Sequence, residues 1–225
     1  MIANVSALVT ELKARAEAGR SVTIVLAGAG QMGTDIIVQL ALMPGLRLGA
    51  VSEINVPAAV DAALLAGHAR ENIVNAKSAS HIDAAIERGK LAITDDLAAL
   101  AAAGRIDVVI DATGNPNIGT SFALDAIHNG KHVVMLNVEA DITIGRHLKA
   151  QAYSAGVVYT GAMGDEPACA LELIGFAQSL GLKIVCAGKG KNNPLKFDAV
   201  PKEYEAEARQ RNMNARMLVE FVDGS

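Results

Sequence analysis

The chain has 225 residues, of which 51% are hydrophobic, 3% are aromatic and 20% are charged, and its formal net charge is −4. This length suits one large domain, or one domain followed by part of a second. The slightly acidic balance excludes the basic field that would attract nucleic acid or anionic lipid. The scarcity of aromatic residues argues against a stacking surface for single-stranded nucleic acid.

Two further features bear on the cellular compartment. The chain has only two cysteines, Cys169 and Cys186, which are too few for a disulfide framework. Its N-terminus lacks an apolar segment of the kind that directs secretion, and no charge-free run supplies the ~20 apolar residues that cross a membrane. We therefore expect a cytoplasmic globular protein.

Predicted helices and strands alternate along most of the chain. Helices are expected over residues 4–19, 34–42, 57–67, 82–88, 95–103, 118–128 and 142–155. Strands are expected over residues 22–27, 46–51, 106–110, 132–136 and 157–159. This alternation indicates parallel βαβ units, and it predicts an α/β fold with a Rossmann-type doubly wound parallel sheet.

The alternation changes character near residues 161–164. Beyond that point the sequence predicts a helix over 167–180, a strand over 182–186, a polar loop rich in Gly, Lys and Asn, and a charged helix over 202–211, before an apolar run at 217–222. We interpret residues 1–160 as one domain and residues 161–225 as the beginning of a smaller α+β domain.

A glycine-rich turn follows the first predicted strand directly. Gly28, Gly30 and Gly33 form a Gly-x-Gly-x-x-Gly motif between a strand and a helix. In that setting Gly28 permits the tight turn, Gly30 removes the Cβ that would block a pyrophosphate, and Gly33 allows close packing of helix and strand. Gln31 and Met32 complete the predicted set at the helix start, whose positive end favours a phosphate. The alternative is that the glycines serve packing alone.

An acidic residue about 20 positions further on is the next requirement for a dinucleotide site, because it holds the ribose hydroxyls. Glu53 lies at that distance just past the second predicted strand, with Ser52 beside it. No Arg or Lys lies between Arg47 and Arg70 to bind a 2′-phosphate. Glu53 therefore favours NAD over NADP, unless it is simply a solvated loop residue.

Two later strand ends should reach the same cofactor, because ligands of open α/β sheets bind at the carboxyl ends of the strands. Asn137 follows one of these strands and can both donate to and accept from the carboxamide of nicotinamide, with Glu139 next to it. The alternative for both segments is ordinary loop chemistry. The small or polar residues predicted to pass close to the dinucleotide after the other strand are Ala112, Thr113, Gly114 and Asn115.

Together these segments resemble a known family. VLAGAGQMG at 25–33, DVVIDATG at 107–114 and GKHVV at 130–134 resemble the cofactor domain of homoserine dehydrogenases. NVEAD at 137–141, GDEP at 164–167 and GKGKNNP at 188–194 are similar to a narrower group, the homoserine dehydrogenase-like oxidoreductases with a C-terminal SAF domain. That group includes the 1-deoxy-D-xylulose 5-phosphate reductoisomerase-like enzymes. Its members are longer, so the resemblance covers their N-terminal half.

The sequence departs from homoserine dehydrogenases proper at two places. Val138 stands where they have a Lys directly after the Asn. The GDEP segment at 164–167 replaces their Gly-Ile-Pro segment. Both differences argue against homoserine itself as the substrate.

The resemblance implies that the two later segments line the substrate pocket. Hydride transfer at a carbinol carbon needs a proton donor or acceptor at the oxygen. We predict Lys191 as that acid/base, Lys189 as the holder of an anionic group, and Asp165 and Glu166 as orienting groups. A divalent metal at the two acids would fit a reaction that includes a ketol rearrangement. The alternative is a solvated turn at 188–194 and a helix cap at 165–166.

The sequence-based interpretation is therefore an NAD(P)-dependent oxidoreductase, either a dehydrogenase or an oxidoisomerase, acting on the CH–OH group of a small sugar acid or sugar phosphate. We expect a homo-oligomer that binds a small anionic substrate and neither nucleic acid nor membrane. The alternatives are a homoserine dehydrogenase proper and a non-catalytic dinucleotide-binding regulatory module.

Overall fold

The computed structural model describes residues 5–162, 168–188, 195–210 and 214–223, without the side chains of residues 5, 6 and 168. The chain divides into two compact units, Met1–Leu173 and Ile174–Ser225. The predicted domain boundary after residue 160 stays a prediction. Within the described ranges, no helix combines the length and the apolar character that a membrane span requires.

The first unit is built on a parallel sheet. Its seven strands are β1 Val22–Ala27, β2 Leu46–Ser52, β3 Ile73–Asn75, β4 Leu91–Thr94, β5 Val108–Asp111, β6 His132–Met135 and β7 Tyr159–Gly161. Their order in the sheet is β3-β4-β2-β1-β5-β6-β7, and every neighbouring pair is parallel. The predicted doubly wound α/β sheet is confirmed.

Helices precede, separate and follow the strands. They are α1 Val5–Glu17, α2 Gln31–Leu40, α3 Val56–Leu65, α4 Ala79–Glu87, α5 Leu97–Ala102, α6 Pro116–His128, α7 Val138–Ser154, α8 Ala168–Ser179, α9 Pro201–Gln210 and α10 Ala215–Asp223. Helices α3, α4, α5, α6 and α7 each begin behind an Asn, Ser or Asp whose side chain accepts a backbone N–H bond, which is why these polar residues end the preceding loops.

The position of β1 determines where the loops meet. In the register of the sheet, Ala27 at the end of β1 stands beside Ser52 of β2 and Asp111 of β5, and Asp111 stands beside Met135 of β6. Strands β2, β3 and β4 lie on one side of β1, and strands β5, β6 and β7 lie on the other side. The loops after β1, β2, β5 and β6 therefore share one edge of the sheet, at its topological switch point.

Apolar side chains cover both faces of the sheet. One cluster of buried residues includes Val25, Ile82, Leu100 and Phe122, and the other includes Leu26, Ile37, Val51 and Ile93. Burial on both faces explains why the central strands are nearly continuous apolar runs rather than alternating ones.

Strands β3 and β4 have no counterpart among the predicted strands, and the strand predicted over residues 182–186 is wrong. Residues 182–186 form no strand, Val185 is 89% exposed, and none of the described residues pairs with this segment as a strand. The apolar run at 217–222 lies in helix α10, which buries Leu218 and Val219. In that second unit, the N–H of Lys196 also donates to the carbonyl oxygen of Val222 at 2.6 Å. The apolar sequence around Cys169 and around Cys186 predicts core positions, but both cysteines are exposed.

Candidate dinucleotide-binding site

The glycine-rich turn joins β1 to α2 at the switch-point edge. Gly28 has φ +92°, and a Cβ built on it would lie 2.5 Å from the carbonyl oxygen of Ala112 in the loop after β5. A side chain at this position is excluded both by the backbone conformation and by the neighbouring loop. Gly28 therefore brings the loops after β1 and β5 into contact.

Gly30 and Gly33 have different surroundings, although they are three residues apart. A Cβ on Gly33 would overlap the carbonyl oxygen of Gly28, so Gly33 is required for the packing of α2 against the turn. A Cβ on Gly30 would meet no described atom within 4 Å. Gly30 occupies the N-cap position of α2 and provides no side-chain cap. The first helical turn begins with Gln31 and the exposed Met32, and the first N–H groups of a helix have no partner within it.

The Glu53 carboxylate connects the loop after β2 to the glycine-rich turn. Its Oε2 accepts a hydrogen bond from the N–H of Ala29 at 2.7 Å, and its Oε1 accepts one from the N–H of Asn55 at 3.0 Å. These two bonds fix the carboxylate beside the turn. Ser52, the last residue of β2, is 3% exposed.

A cleft of about 390 Å³ opens at the same edge. A larger cavity of about 480 Å³ lies at the opposite edge, around Thr23 and Arg47 at the amino ends of β1 and β2, and contains none of the predicted site residues. Ligands of parallel sheets bind at the carboxyl ends, so the smaller cleft is the candidate site. It is lined by Gly28, Ser52, Glu53, Ile54, Asp95, Asp96, Leu97, Thr113 and Ile118.

The segment between β4 and α5 contributes Asp95 and Asp96 to the cleft. Neither residue is among the site residues predicted from the sequence. Asp96 caps α5, with its Oδ1 accepting from the N–H of Ala99 at 3.0 Å. Asp95 forms a 2.9 Å ion pair with Lys77, and the hydrogen bond from Lys77 lowers the pKa of Asp95. Recognising β4 would have placed both acids at a carboxyl strand end.

The Asp111 side chain at the end of β5 binds the backbone of the loop that follows. This carboxylate is fully buried, and its Oδ1 accepts from the N–H of Thr113 at 3.0 Å. Burial raises the pKa of Asp111, while the hydrogen bond from Thr113 opposes that shift. Gly114, with φ +64°, continues the loop, and Asn115 caps α6 by accepting from the N–H groups of Asn117 and Ile118.

Asn137 lies close to that loop, as predicted from its place after β6. It is 2% exposed and caps α7, its Oδ1 accepting from the N–H of Ala140 at 3.2 Å. Its Nδ2 donates to the carbonyl oxygen of Asn115 at 2.9 Å. The protein therefore engages both ends of this amide, whereas Glu139 in the first turn of α7 is exposed. Contact of either residue with nicotinamide stays a prediction.

The predicted substrate-binding and catalytic residues lie outside the part of the chain that the structure describes. They are Asp165, Glu166, Lys189 and Lys191. Across the described residues, no group of three or more His, Cys, Asp or Glu side chains is placed to hold a metal ion. The predicted metal at Asp165 or Glu166 is untested for the same reason.

The structure combines a parallel sheet with a switch point, a glycine-rich turn at a helix N-terminus and an acid at the end of the next strand. This combination is typical of dinucleotide-binding α/β proteins. The family model described as "Homoserine dehydrogenase, NAD binding domain" matches residues 28–160, more than half of the chain. The chain therefore belongs to this family of NAD-binding domains. A second model, "Oxidoreductase DRL, catalytic domain", matches residues 164–225.

Solved structures with similar folds include several dehydrogenases. A homoserine dehydrogenase from Thiobacillus denitrificans is 22% identical over 63% of this chain and 29% of its own chain, with a TM-score of 0.45. The WlbA dehydrogenase from Bordetella pertussis, in complex with NADH and UDP-GlcNAcA, is 18% identical over 72% and 43%, with a TM-score of 0.48. GenD2 from gentamicin A biosynthesis, in complex with NAD, is 20% identical over 63% and 34%, with a TM-score of 0.45.

The chain thus spans less than half the length of these three structures. A search among curated proteins gave no significant match.

Proposed function

We propose that this chain binds NAD(H) at the carboxyl edge of its sheet and belongs to an oxidoreductase that acts on a CH–OH group. The open N-terminus of α2 at Gly30 carries the proposal, because it offers unpaired N–H groups and room for a pyrophosphate where a Cβ would stand. The match of residues 164–225 to an oxidoreductase catalytic domain supports the assignment to an enzyme.

Each residue of the site would have a distinct task. The first turn of α2 would hold the pyrophosphate through N–H groups and the helix dipole. Glu53 would accept hydrogen bonds from the ribose hydroxyls, since its two bonds to backbone N–H groups still leave acceptor capacity on both oxygens. A nicotinamide cofactor, when bound, supplies hydride chemistry; the chain supplies its binding and orientation.

Glu53 supports a preference for NAD over NADP. A 2′-phosphate at the ribose would place negative charge near this carboxylate, and like charges ~5 Å apart repel by about 3 kcal/mol per unit charge at an effective dielectric constant of about 20. After screening by salt, we expect NADH to bind about tenfold to a hundredfold more tightly than NADPH.

The proposed substrate is a small sugar acid or sugar phosphate. This part rests on the resemblance of 164–167 and 188–194 to the homoserine dehydrogenase-like oxidoreductases with a SAF domain, the group that includes the 1-deoxy-D-xylulose 5-phosphate reductoisomerase-like enzymes. Lys191 would act as acid/base, Lys189 would hold the anion, and Asp165 and Glu166 would orient the substrate or bind a divalent metal. The enzyme would be a cytoplasmic homo-oligomer. Val138 argues against homoserine as the substrate.

Titration of the protein with NADH and NADPH, followed by nicotinamide fluorescence, tests the cofactor assignment. Glu53→Gln should reduce the preference for NADH because it removes the charge. It should also weaken NADH binding itself, because a Gln side chain can accept from only one of the two N–H groups of Ala29 and Asn55. Glu71→Gln is the matched control, since Glu71 is exposed and precedes β3 at the opposite edge of the sheet.

A clear NADPH preference in the wild-type protein would contradict the role of Glu53, and failure to bind either nucleotide would contradict the function. A turnover screen with NAD over sugar acids, sugar phosphates and homoserine then tests the substrate class. Faster oxidation of homoserine would replace the proposed substrate, and binding without any turnover would indicate a regulatory module.

A further inference from the structure

The Asn137 side chain joins two loops at the carboxyl edge of the sheet. Through its Oδ1 it caps α7, and through its Nδ2 it donates to the carbonyl oxygen of Asn115, 22 residues earlier, at 2.9 Å. The same nitrogen lies 3.5 Å from Oγ1 of Thr113. At 2% exposure, the amide is buried by the groups it binds. The side chain is therefore a tether between the start of α7 and the loop after β5.

Asp111 and Gly119 lie next to the Asn137 amide. Among the described residues, Asp111 Oδ2 has no hydrogen-bond partner although it is buried. A Cβ on Gly119 of α6 would overlap this oxygen and would lie 2.6 Å from Asn137 Nδ2. The carboxylate and the amide thus converge on the same point beneath the loop, where α6 approaches too closely to admit any side chain. The arrangement leaves no room for a side chain beneath the loop.

The loop held in this way forms a wall of the candidate cleft. Thr113 and Ile118 line the cleft, and the carbonyl oxygen of Ala112 limits the space at Gly28 in the glycine-rich turn. We propose that Asn137 is a positioning residue, which fixes residues 112–115 as the wall against which a dinucleotide binds and does not itself contact the nicotinamide. This inference rests on the proposed function.

ADP-ribose separates the two roles of Asn137, because it contains both ribose rings and the pyrophosphate of NADH but lacks the nicotinamide. A residue that binds the carboxamide affects NADH alone. A residue that positions the wall of the cleft affects NADH and ADP-ribose by the same factor.

The variant Asn137→Ser keeps a side chain that caps helices well and removes the amide nitrogen of the tether. We expect it to weaken the binding of NADH and ADP-ribose equally, by about tenfold, since one buried hydrogen bond that orders the wall is lost. Asn129→Ser is the matched control. It removes the hydrogen bond from the exposed Asn129 Nδ2 to the carbonyl oxygen of Asp125 at 2.8 Å, just before β6 at the opposite edge of the sheet, and should change neither affinity.

Calorimetric titrations of the wild-type protein and both variants with NADH and ADP-ribose measure these affinities. Amide hydrogen exchange over residues 113–118 without nucleotide reports the tether itself and should become faster in Asn137→Ser. A loss confined to NADH would show a direct nicotinamide contact and overturn the inference, as would unchanged affinities or unchanged exchange. If the wild-type protein bound neither nucleotide while the exchange still responded, the proposed function would fail although the tether was real.

Discussion

Two substitutions within the glycine-rich turn should have opposite consequences. Gly33→Ala introduces a methyl group into the carbonyl oxygen of Gly28, and the helix or the turn must move to admit it. Overpacking of this kind costs about 1–3 kcal/mol of the free energy of unfolding. Gly30→Ala places its methyl group in open space on extended backbone (φ −67°, ψ −159°), so its free energy of unfolding should stay within about 1 kcal/mol of the wild type.

Gly30→Ala should instead affect NADH binding strongly, although it changes stability little. Its new methyl group would stand where, in the proposed site, the pyrophosphate would approach the first turn of α2. Each charge-assisted hydrogen bond that is lost there contributes about 1.5–3 kcal/mol, so NADH should bind at least tenfold more weakly.

The assay is urea unfolding followed by circular dichroism, combined with calorimetric titration with NADH. Gly104→Ala serves as the control, because its Cβ would make only an ordinary 3.5 Å contact with Asp83, and it should resemble the wild type in both measurements. The reasoning is refuted if Gly30→Ala binds NADH with wild-type affinity, or if Gly33→Ala is as stable as the wild type.

Two further predictions concern buried groups beside the sheet. Because burial raises the pKa of Asp111, the folded protein holds this proton more tightly than the unfolded chain does. The stability from this residue is complete below the unfolded-state pKa and is lost as the pH rises through the folded-state pKa. Asp111→Asn should therefore gain stability relative to the wild type as the pH rises above about 4, the ordinary pKa of an unfolded aspartate. A pH-independent difference in urea unfolding would contradict this. Tyr159 is 8% exposed and donates to Asp141 Oδ1 at 2.7 Å, so Tyr159→Phe should cost about 1–3 kcal/mol in the same assay; an unchanged urea midpoint would contradict it.

The central part of the fold can be predicted from the sequence because its signals are local. The apolar run of β1 and the glycines that follow it are adjacent, and their spacing alone predicts the strand, the turn and the helix. β3 and β4 give much weaker signals. β3 lies within the polar stretch between the helices predicted over 57–67 and 82–88, and β4 begins with Leu91 and Ala92, which are common in helices.

Errors arose where tertiary context decides the outcome. Residues 182–186 have strand-like composition, but a strand needs a neighbour to satisfy its backbone groups, and the part of the chain that the structure describes pairs none with them. For Asn137 the sequence predicted a place after a strand, and β6 ends two residues before it. The geometry of two distant loops determines that its amide binds the protein, and no spacing in the sequence reports that geometry.

A crystal structure of the protein with bound NAD tests the central claim most directly. We expect the pyrophosphate to lie over Gly30, within hydrogen-bonding distance of the N–H groups that begin α2, and the adenosine ribose to contact Glu53. A nucleotide seated in the cavity around Thr23 and Arg47, at the amino ends of the strands, would contradict the account.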